Sequence, residues 1–510
     1  MVAEHDVLDV LIAGAGPTGM VLALELAMRG IRVRIVDRSP RAGSASRAMV
    51  VHARTLELYR RLGLAEEIIA HGIKVERFHL REGRREAACI PVGDFGRGLS
   101  PYPFVLSLPQ DEHEQILERK LADAGVRIEW NTTLERFSDL SDRVRATIRT
   151  GDNREEVVEA AWLCGCDGAH SAVREGIGVG FPGGTYEQTF YVTDVEATGV
   201  ATDGDMHVSL GPKTLCVVFP IRTTGRFRLI GIVPEELRSR PSVRLADIVP
   251  YVENLIGIRV GREKWFSTYQ VHHRVADHFR KGRAFLAGDA GHVHSPAGGQ
   301  GMNTGIGDAI NLAWKLADVV RGRAGERILE TYEPERIAFA RTLVATTDRA
   351  FTGAVNRRLA GRFVRQVLFP FVVPRLIAIP ALRLLAFRTL SQTRIHYRDS
   401  PLSEGRAGTV RGGDRLPWVE SSDNYAPLAS LDWQIHLYGA ASPQLVADAN
   451  RCGIRMHAFA WSADAERAGF AQGALYLVRP DGHVAVAAPE QEIGVVRAFL
   501  DRFAIRSAAQ

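Results

Sequence analysis

Two hydrophobic periods alternate along this chain, and the first switch between them is already informative. Residues 8–13 (LDVLIA) form a short apolar run that ends in Gly14-Ala15-Gly16-Pro17-Thr18-Gly19. Apolar residues at helical spacing follow (Val21, Leu22, Leu24, Leu26, Ala27), closed by Gly30, and residues 31–37 (IRVRIVD) then alternate with period two. A period near 3.6 marks a helix and a period of two a strand. The stretch therefore predicts strand, glycine-rich turn, helix, strand, the βαβ unit of a dinucleotide-binding fold. Gly14 permits the tight turn, Gly16 lets the backbone approach a pyrophosphate, and Gly19 lets the helix pack on the strand, while the helix N-terminus offers N–H groups to phosphate. Asp37 ends the second strand, placed to accept from a ribose hydroxyl.

Two later segments repeat the theme of a strand running into a polar turn. Residues 157–163 (VVEAAWL) predict a strand leading into Cys164-Gly165-Cys166-Asp167-Gly168, with Ser171 and Arg174 close behind. Cys164 and Cys166 have strand spacing, and without a second cysteine pair to complete four ligands they are expected to pack. Residues 283–287 (RAFLA) predict a strand, followed by Gly288-Asp289-Ala290, His292, Pro296 and residues 298–303 (GGQGMN). A helix is predicted over 304–320, with Ile306, Ile310, Leu312, Trp314, Leu316 and Val319 apolar. A carboxylate and several glycine backbones ahead of a helix N-terminus suit a polar, partly anionic ligand. Strands are predicted over 214–220 and 226–233. In the last 110 residues they are predicted over 434–438, 474–478 and 484–486, with a Pro480-Asp481-Gly482 hairpin signal and a helix near 489–504.

Composition narrows the class. A chain of 510 residues predicts two or three domains. Its 46% hydrophobic and 24% charged residues exclude a disordered or fibrous protein. A net charge of +5 is no nucleic-acid signature at this length. Five scattered cysteines make no disulfide framework, and no cationic then apolar segment opens the chain, so a reducing cytoplasm is the expectation. Residues 349–398 hold ten arginines and no acidic residue. Arginines and prolines break the apolar stretch 364–390, so it does not span a membrane. An interdomain helical connector with Arg heads in solvent is favoured over a membrane-surface segment. His292/His294 and His272/His273 lack further ligands at metal spacing, so no metal site is expected.

In their order and spacing, Gly14-x-Gly16-x-x-Gly19, Asp167-Gly168 with Arg174, and Gly288-Asp289 through Asn303 resemble the single-component FAD-dependent aromatic hydroxylases. These are the para-hydroxybenzoate, phenol and polyketide hydroxylase-like flavoprotein monooxygenases. The resemblance implies an α/β architecture: a Rossmann-like FAD-binding domain (1–175 and 283–345) with an inserted β-sheet substrate domain (176–282), a helical connector (346–398) and a C-terminal thioredoxin-like domain (399–510). That last domain lacks CxxC, so packing or a homodimer contact is its expected role rather than disulfide exchange. By the same resemblance, Gly14, Gly16, Pro17, Thr18 and Gly19 hold the pyrophosphate, Asp37 the adenosine ribose with Arg38 beside it, and Arg47 the phosphates. Gln110 and Asp289 hold the ribityl chain, Asp167 serves both FAD and nicotinamide, and Pro296, Gly299, Gly301, Met302 and Asn303 line the isoalloxazine.

The implied activity uses NADPH or NADH and O2 to hydroxylate a small hydrophobic aromatic substrate, phenolic or polyketide-like, through a flavin C4a-hydroperoxide. Baeyer–Villiger oxygen insertion on a polycyclic ketone and a non-catalytic FAD-containing membrane-surface protein are the alternatives. A halogenase is disfavoured by the lack of a Trp-x-Trp-x-Ile-Pro segment. Tyr186, Tyr191, Asp194, His207, Tyr269 and His272 are polar enough to touch a phenol, and none is singled out as catalytic.

Overall fold

The apolar run Leu8–Ala13 lies at the centre of a largely parallel sheet. A computed structural model describes residues 7–43, 48–211, 214–222, 225–238, 240, 242–355 and 372–506. The first sheet runs in the order Arg280–Lys281, Ala284–Leu286, Glu155–Gly165, Leu8–Ala13, Val33–Val36, Ile128–Glu129. The hairpin Thr133–Asp139/Val144–Arg149 pairs with the outer half of Glu155–Gly165. Val10, Leu11 and Ile12 are wholly buried. A parallel strand is covered on both faces, which is why this one reads as a continuous apolar run.

Helix Pro17–Met28 packs beside helix Gly301–Val320. Thr18 fills the seam, because a Cβ on Gly288 or Gly305 would come within 2.6 or 2.3 Å of its Oγ1. The second helix starts three residues earlier than the expected Thr304, taking Gly301, Met302 and Asn303 into its first turn. Gly298 and Gly299 adopt φ of 77° and 63°, a left-handed reversal that brings the chain onto the helix axis early.

A second, eight-stranded sheet runs in the order His292–Val293, Ile258–Val275, Gly183–Gly199, Arg226–Ile232, Leu215–Pro220, Met206–Leu210, Arg77–Glu82, Arg85–Pro91. The boundaries 176–282 are therefore too narrow for this sheet. The hairpin 77–91 joins it from the first segment, because Arg77–Glu82 pairs in parallel with Met206–Leu210. One face carries Val195, Cys216, Val218 and Leu229 against Ile248, Val252 and Ile256 of helix Leu245–Ile256. The alternate residues face the first domain.

Helix Tyr332–Val355 continues through the expected boundary at 345/346. Part of the arginine-rich connector lies outside the described residues. The remainder forms helices Val373–Ala378 and Pro380–Leu390, and Phe387 of the latter is 1% exposed and meets Phe95 edge-on at 6.1 Å. Among the described residues, no helix is long and apolar enough to cross a membrane.

The C-terminal sheet runs in the order Val410–Arg411, Glu404–Ala407, Val484–Ala488, Leu475–Val478, Gln434–Tyr438, Arg455–Phe459. Its last two strands are parallel and joined by helix Pro443–Arg451; Leu475–Val478 is antiparallel to both its neighbours. Buried charges fasten this sheet to the helices beneath the first. Glu335 accepts from Arg479 Nη1 (2.8 Å), Lys315 Nζ (2.8 Å), Asn311 Nδ2 (2.7 Å) and Ser400 Oγ (2.6 Å), while Trp314 meets Trp433 edge-on at 5.4 Å.

Candidate active site

The cradle begins at the turn after Leu8–Ala13. Gly14 has φ 101°, and a Cβ there would sit 2.2 Å from the Cys166 carbonyl oxygen, so the first and second motifs touch through a glycine. Gly19 lies as close to Gly14: its Cβ would be 1.9 Å from the Gly14 oxygen. Gly16 is different, with no atom of the described residues within 4 Å of where its Cβ would be. That space fronts the N-terminus of helix Pro17–Met28, whose N-cap residue Gly16 makes no side-chain capping bond. Unsatisfied N–H groups beside open space make an anion site.

Asp37 accepts from the Ala15 amide at Oδ2 (2.6 Å) and from the Ser39 amide at Oδ1 (2.7 Å). It thus braces the glycine turn, and each carboxylate oxygen keeps acceptor capacity for a ribose. Arg38 is exposed next to it. Arg47 lies outside the described residues. Gln110 takes the Ala48 amide at Oε1 (3.0 Å) and donates from Nε2 to Glu114 Oε1 (2.8 Å); Glu114 Oε2 accepts from the Gly43 amide (2.6 Å). Burial raises the Glu114 carboxyl.

Asp167 stands directly behind Gly14. Its Oδ2 accepts from the Val173 amide (3.2 Å), whereas its Oδ1 is buried without a hydrogen-bond partner among the described residues. Burial raises this carboxyl too. Arg174 ties the second motif to the third, donating to the carbonyls of Ala169 (2.9 Å) and Ala290 (3.0 Å). Asp289 is exposed on the turn Gly288–Ala290.

That turn is fixed by a residue outside the expected set. Asp308 Oδ2 accepts from the Gly288 amide (2.9 Å) and His292 Nε2 (2.7 Å), and Oδ1 accepts from Arg336 Nε (2.6 Å). Arg336 also donates to Tyr397 Oη (2.8 Å) and to the Thr304 carbonyl (3.1 Å). Burial opposes the Asp308 charge, but Arg336 and His292 outweigh it and hold the carboxyl below its ordinary range. The signal for Asp308 in the sequence is an acidic residue between Ile306 and Ile310, on the core side of an apolar helix.

Pro296 is exposed, and Gly299, Gly301 and Met302 are half-buried along the following loop and first helical turn. The Asn303 side chain is used internally. It donates to the carbonyls of Val50 and Gly299 (2.9 Å each) and accepts from the His52 amide (2.9 Å) and Thr55 Oγ1 (2.7 Å). His52 Nε2 lies 2.8 Å from the Gly298 carbonyl, and burial pushes this imidazole down to about 4. Asn303 therefore shapes the loop rather than reaching out of it.

Val50 joins the loop to the second sheet: it clusters with Met49 and Phe219, against which Met206, Val217 and Ile230 are partly buried. This is the inward face of the sheet. Tyr186 and Tyr269 lie on it; Tyr186 Oη donates to Asp348 Oδ1 (2.6 Å), and Tyr269 stacks on Phe190 at 5.8 Å. Asp194 is held bidentately by Arg228 (2.7 and 2.8 Å) and by Trp265 Nε1 (2.8 Å), and Arg228 reaches on to the Ala48 carbonyl (3.2 Å). Tyr191 is buried against helix Leu245–Ile256, His207 pairs with Asp203 (2.7 Å), and His272 bonds Thr185 (2.7 Å). Of the six polar candidates, Tyr186 and Tyr269 pack with Phe190 and Ile232 on this face.

Residues 7–347 match the family described as FAD binding domain. The chain belongs to that family. The flavoprotein is 39% identical over 423 residues to 6-methylpretetramide 4-monooxygenase of Streptomyces rimosus, covering 81% of this chain and 74% of that protein. It is 33% identical over 419 residues to pentachlorophenol 4-monooxygenase of Sphingobium chlorophenolicum, covering 81% and 76%. Aklavinone-11 hydroxylase, solved as a ternary complex with FAD and aklavinone, superposes with a TM-score of 0.77 at 26% identity, covering 97% of this chain and 99% of that one. The flavoprotein is an FAD-dependent monooxygenase. Among the described residues the cradle fits the cofactor on its own terms: open space at Gly16, a helix N-terminus with no capping bond from its N-cap residue, and an unpartnered Asp167 oxygen behind the turn.

Proposed function

We propose that this flavoprotein hydroxylates a hydrophobic phenol of the ring-fused polyketide class, using NADPH or NADH and O2. The observation that carries the reading is the inward sheet face. Met206, Val217 and Ile230 are partly buried beside Phe219 and Val50, and the buried charge there, Arg228, is neutralised by Asp194. Such a wall favours a flat apolar ligand. The named substrates of the relatives, a pretetramide and a chlorinated phenol, agree with it.

Bound FAD supplies hydride acceptance from the nicotinamide and activation of O2. The chain's own part is to bind, orient and exclude water. Gly14, Gly16, Pro17, Thr18, Gly19 and Asp37 would hold the adenosine diphosphate portion, with Arg38 and Arg47 near it. Gln110, Asp167 and Asp289 would hold the ribityl side, and the backbone of Pro296, Gly299, Gly301 and Met302, shaped by Asn303, would lie along the ring. Tyr186 and Tyr269 would orient the phenol. The strand order and directions of the C-terminal sheet support a thioredoxin-like domain, here acting as a brace.

The test is oxidation of NADPH and of NADH by the FAD-loaded enzyme, with H2O2 followed in parallel, across simple phenols and aromatic polyketides. A compound that accelerates oxidation while H2O2 stays low is a substrate, and its product mass distinguishes ring hydroxylation from oxygen insertion beside a ketone. Slow or fully uncoupled oxidation with every polycyclic phenol would overturn the substrate reading.

A further inference from the structure

The loop from Pro296 to Asn303 is held from behind by a segment outside the match at residues 7–347. Helix Pro380–Leu390 ends there, with Ser391 as its C-cap and Gln392 following at φ 62°. A left-handed residue just after a helix is usually glycine, sometimes asparagine, because a longer side chain strains the backbone there. Such strain persists only where the surroundings over-determine the position. Gln392 meets that condition: it is 4% exposed, and its side chain is bonded inward.

The Gln392 amide spans the point where the loop becomes a helix. Its Nε2 donates to Gln300 Oε1 (2.7 Å) and Thr304 Oγ1 (2.9 Å). Gln300, 5% exposed, answers in the opposite direction, donating from Nε2 to the Leu390 carbonyl (2.9 Å) with the Gly298 carbonyl at 3.3 Å. The two amides thus form a reciprocal clamp between the loop and the last turn of the connector. Gln300 is the pivot of that loop. It follows the left-handed pair Gly298-Gly299 and precedes helix Gly301–Val320, and its carbonyl accepts from the Thr304 amide (2.9 Å). The other side of the clamp is anchored too. The Ser391 carbonyl accepts from the Arg54 amide (3.2 Å), and Arg54 Nη2 donates to the Asp481 carbonyl (2.9 Å) in a hairpin of the C-terminal sheet.

On the reading that residues 296–302 line the isoalloxazine, we propose that Gln392, acting through Gln300, is a positioning residue for the flavin. It fixes the loop against which the ring would lie and keeps water from that face. Glutamine suits the task because one amide supplies two donor hydrogens, here aimed at Gln300 and Thr304. Asparagine would satisfy the left-handed backbone better but falls one methylene short of both acceptors. A strained backbone held by contacts that converge on the loop assigns Gln392 to the flavin site as well as to the helix end. The cofactor domain is therefore completed by a residue of the connector.

The test uses the full chain with saturating FAD. Gln392→Asn keeps a residue that tolerates the left-handed backbone and withdraws the amide, so the visible spectrum and the midpoint potential of the bound flavin should both shift while the apo melting curve moves little. With a phenol that the parent hydroxylates, H2O2 released per NAD(P)H oxidised should rise at least about twofold. Gln300→Met should shift the same readouts, and the double variant should shift them no further than the larger single effect, because both side chains belong to one clamp. Gln392→Gly, which removes the backbone strain altogether, takes the place of Gln392→Asn should that chain fail to fold. The spectrum and the potential need no aromatic substrate, so they decide the matter whatever the substrate proves to be. A parental spectrum and potential in the Gln392 variant, or effects of the two positions that simply add, would show that the pair only closes a helix end and would overturn the proposal. A parent chain whose bound flavin keeps the spectrum of free FAD would instead refute the placement of the loop along the ring, and this inference with it.

Discussion

Asp308→Asn should separate the scaffold of the cofactor turn from the groups that touch the cofactor. Asp308 is 0% exposed and holds Gly288, His292 and Arg336 at once, with Arg336 itself 1% exposed. An asparagine can place its carbonyl toward Arg336 Nε, but its NH2 then meets the Gly288 N–H donor to donor, and His292 Nε2 can accept from it only by moving the ring proton to the buried, unpartnered Nδ1. The guanidinium also loses its counter-charge, leaving Tyr397 Oη and the Thr304 carbonyl as neutral acceptors. Removing one partner of a buried pair costs about 3–5 kcal/mol. The retained bond places Asp308→Asn near 3 and Asp308→Ala near 5. Because the loosened turn carries Asp289, FAD affinity should fall by about tenfold or more in Asp308→Asn.

The same substitution should change the response to acid. The folded Asp308 carboxyl is depressed, so its stabilisation is fully present above the unfolded value near 3.9 and is lost as pH falls through the folded value. Asp308→Asn should therefore lower stability at neutral pH and flatten the acid limb of the stability profile. Denaturant unfolding of the apo chain from pH 7 downward, with FAD titration by fluorescence quenching, measures both effects. An Asp308→Asn chain with parental unfolding and parental FAD affinity would refute the assignment of this network to the turn.

Other substitutions test adjacent parts of the argument. Gly16→Ala should leave the apo melting curve unchanged, because no atom of the described residues lies within 4 Å of the added methyl, yet cost at least about tenfold in FAD affinity; Gly14→Ala should destabilise the fold itself, through the clash with Cys166 and the positive φ. Ile230→Trp should fill the inward sheet face, lowering coupled turnover of a polycyclic phenol and raising the H2O2 released per NAD(P)H oxidised, with FAD binding intact. Arg479→Met leaves Glu335 and Asp481 short of a buried cation and should cost about 3–5 kcal/mol in denaturant unfolding. Burial raises Glu335, but Arg479 and Lys315 outweigh that and hold it well below the usual carboxylate range, so this brace should weaken as pH falls below about 4.3.

What the chain discloses in order along its length follows from how far each residue's partners lie in sequence. The turn at residues 14–19 is legible because strand, turn and helix are consecutive and each glycine's neighbours are local or backbone. The helix starting at Gly301 is misjudged by three residues, since glycine and asparagine carry weak helix propensity and the left-handed pair Gly298-Gly299 decides the start. The hairpin 77–91 joins a sheet whose partner strand begins at Met206, a pairing no local period discloses. The polar scaffold is hidden for the same reason. Arg336 meets Asp308 across 28 positions, Arg228 meets Ala48 across 180, and His79 meets Asp205 across 126. A buried charge reads in sequence only as a polar residue interrupting an apolar face, as Asp308 does between Ile306 and Ile310. Its partner is fixed by the tertiary fold, because an unpaired charge at that depth would cost more than the fold can supply. Motifs name the residues expected to touch the cofactor, whereas the residues that hold those motifs in place are visible only once the sheets and helices have met.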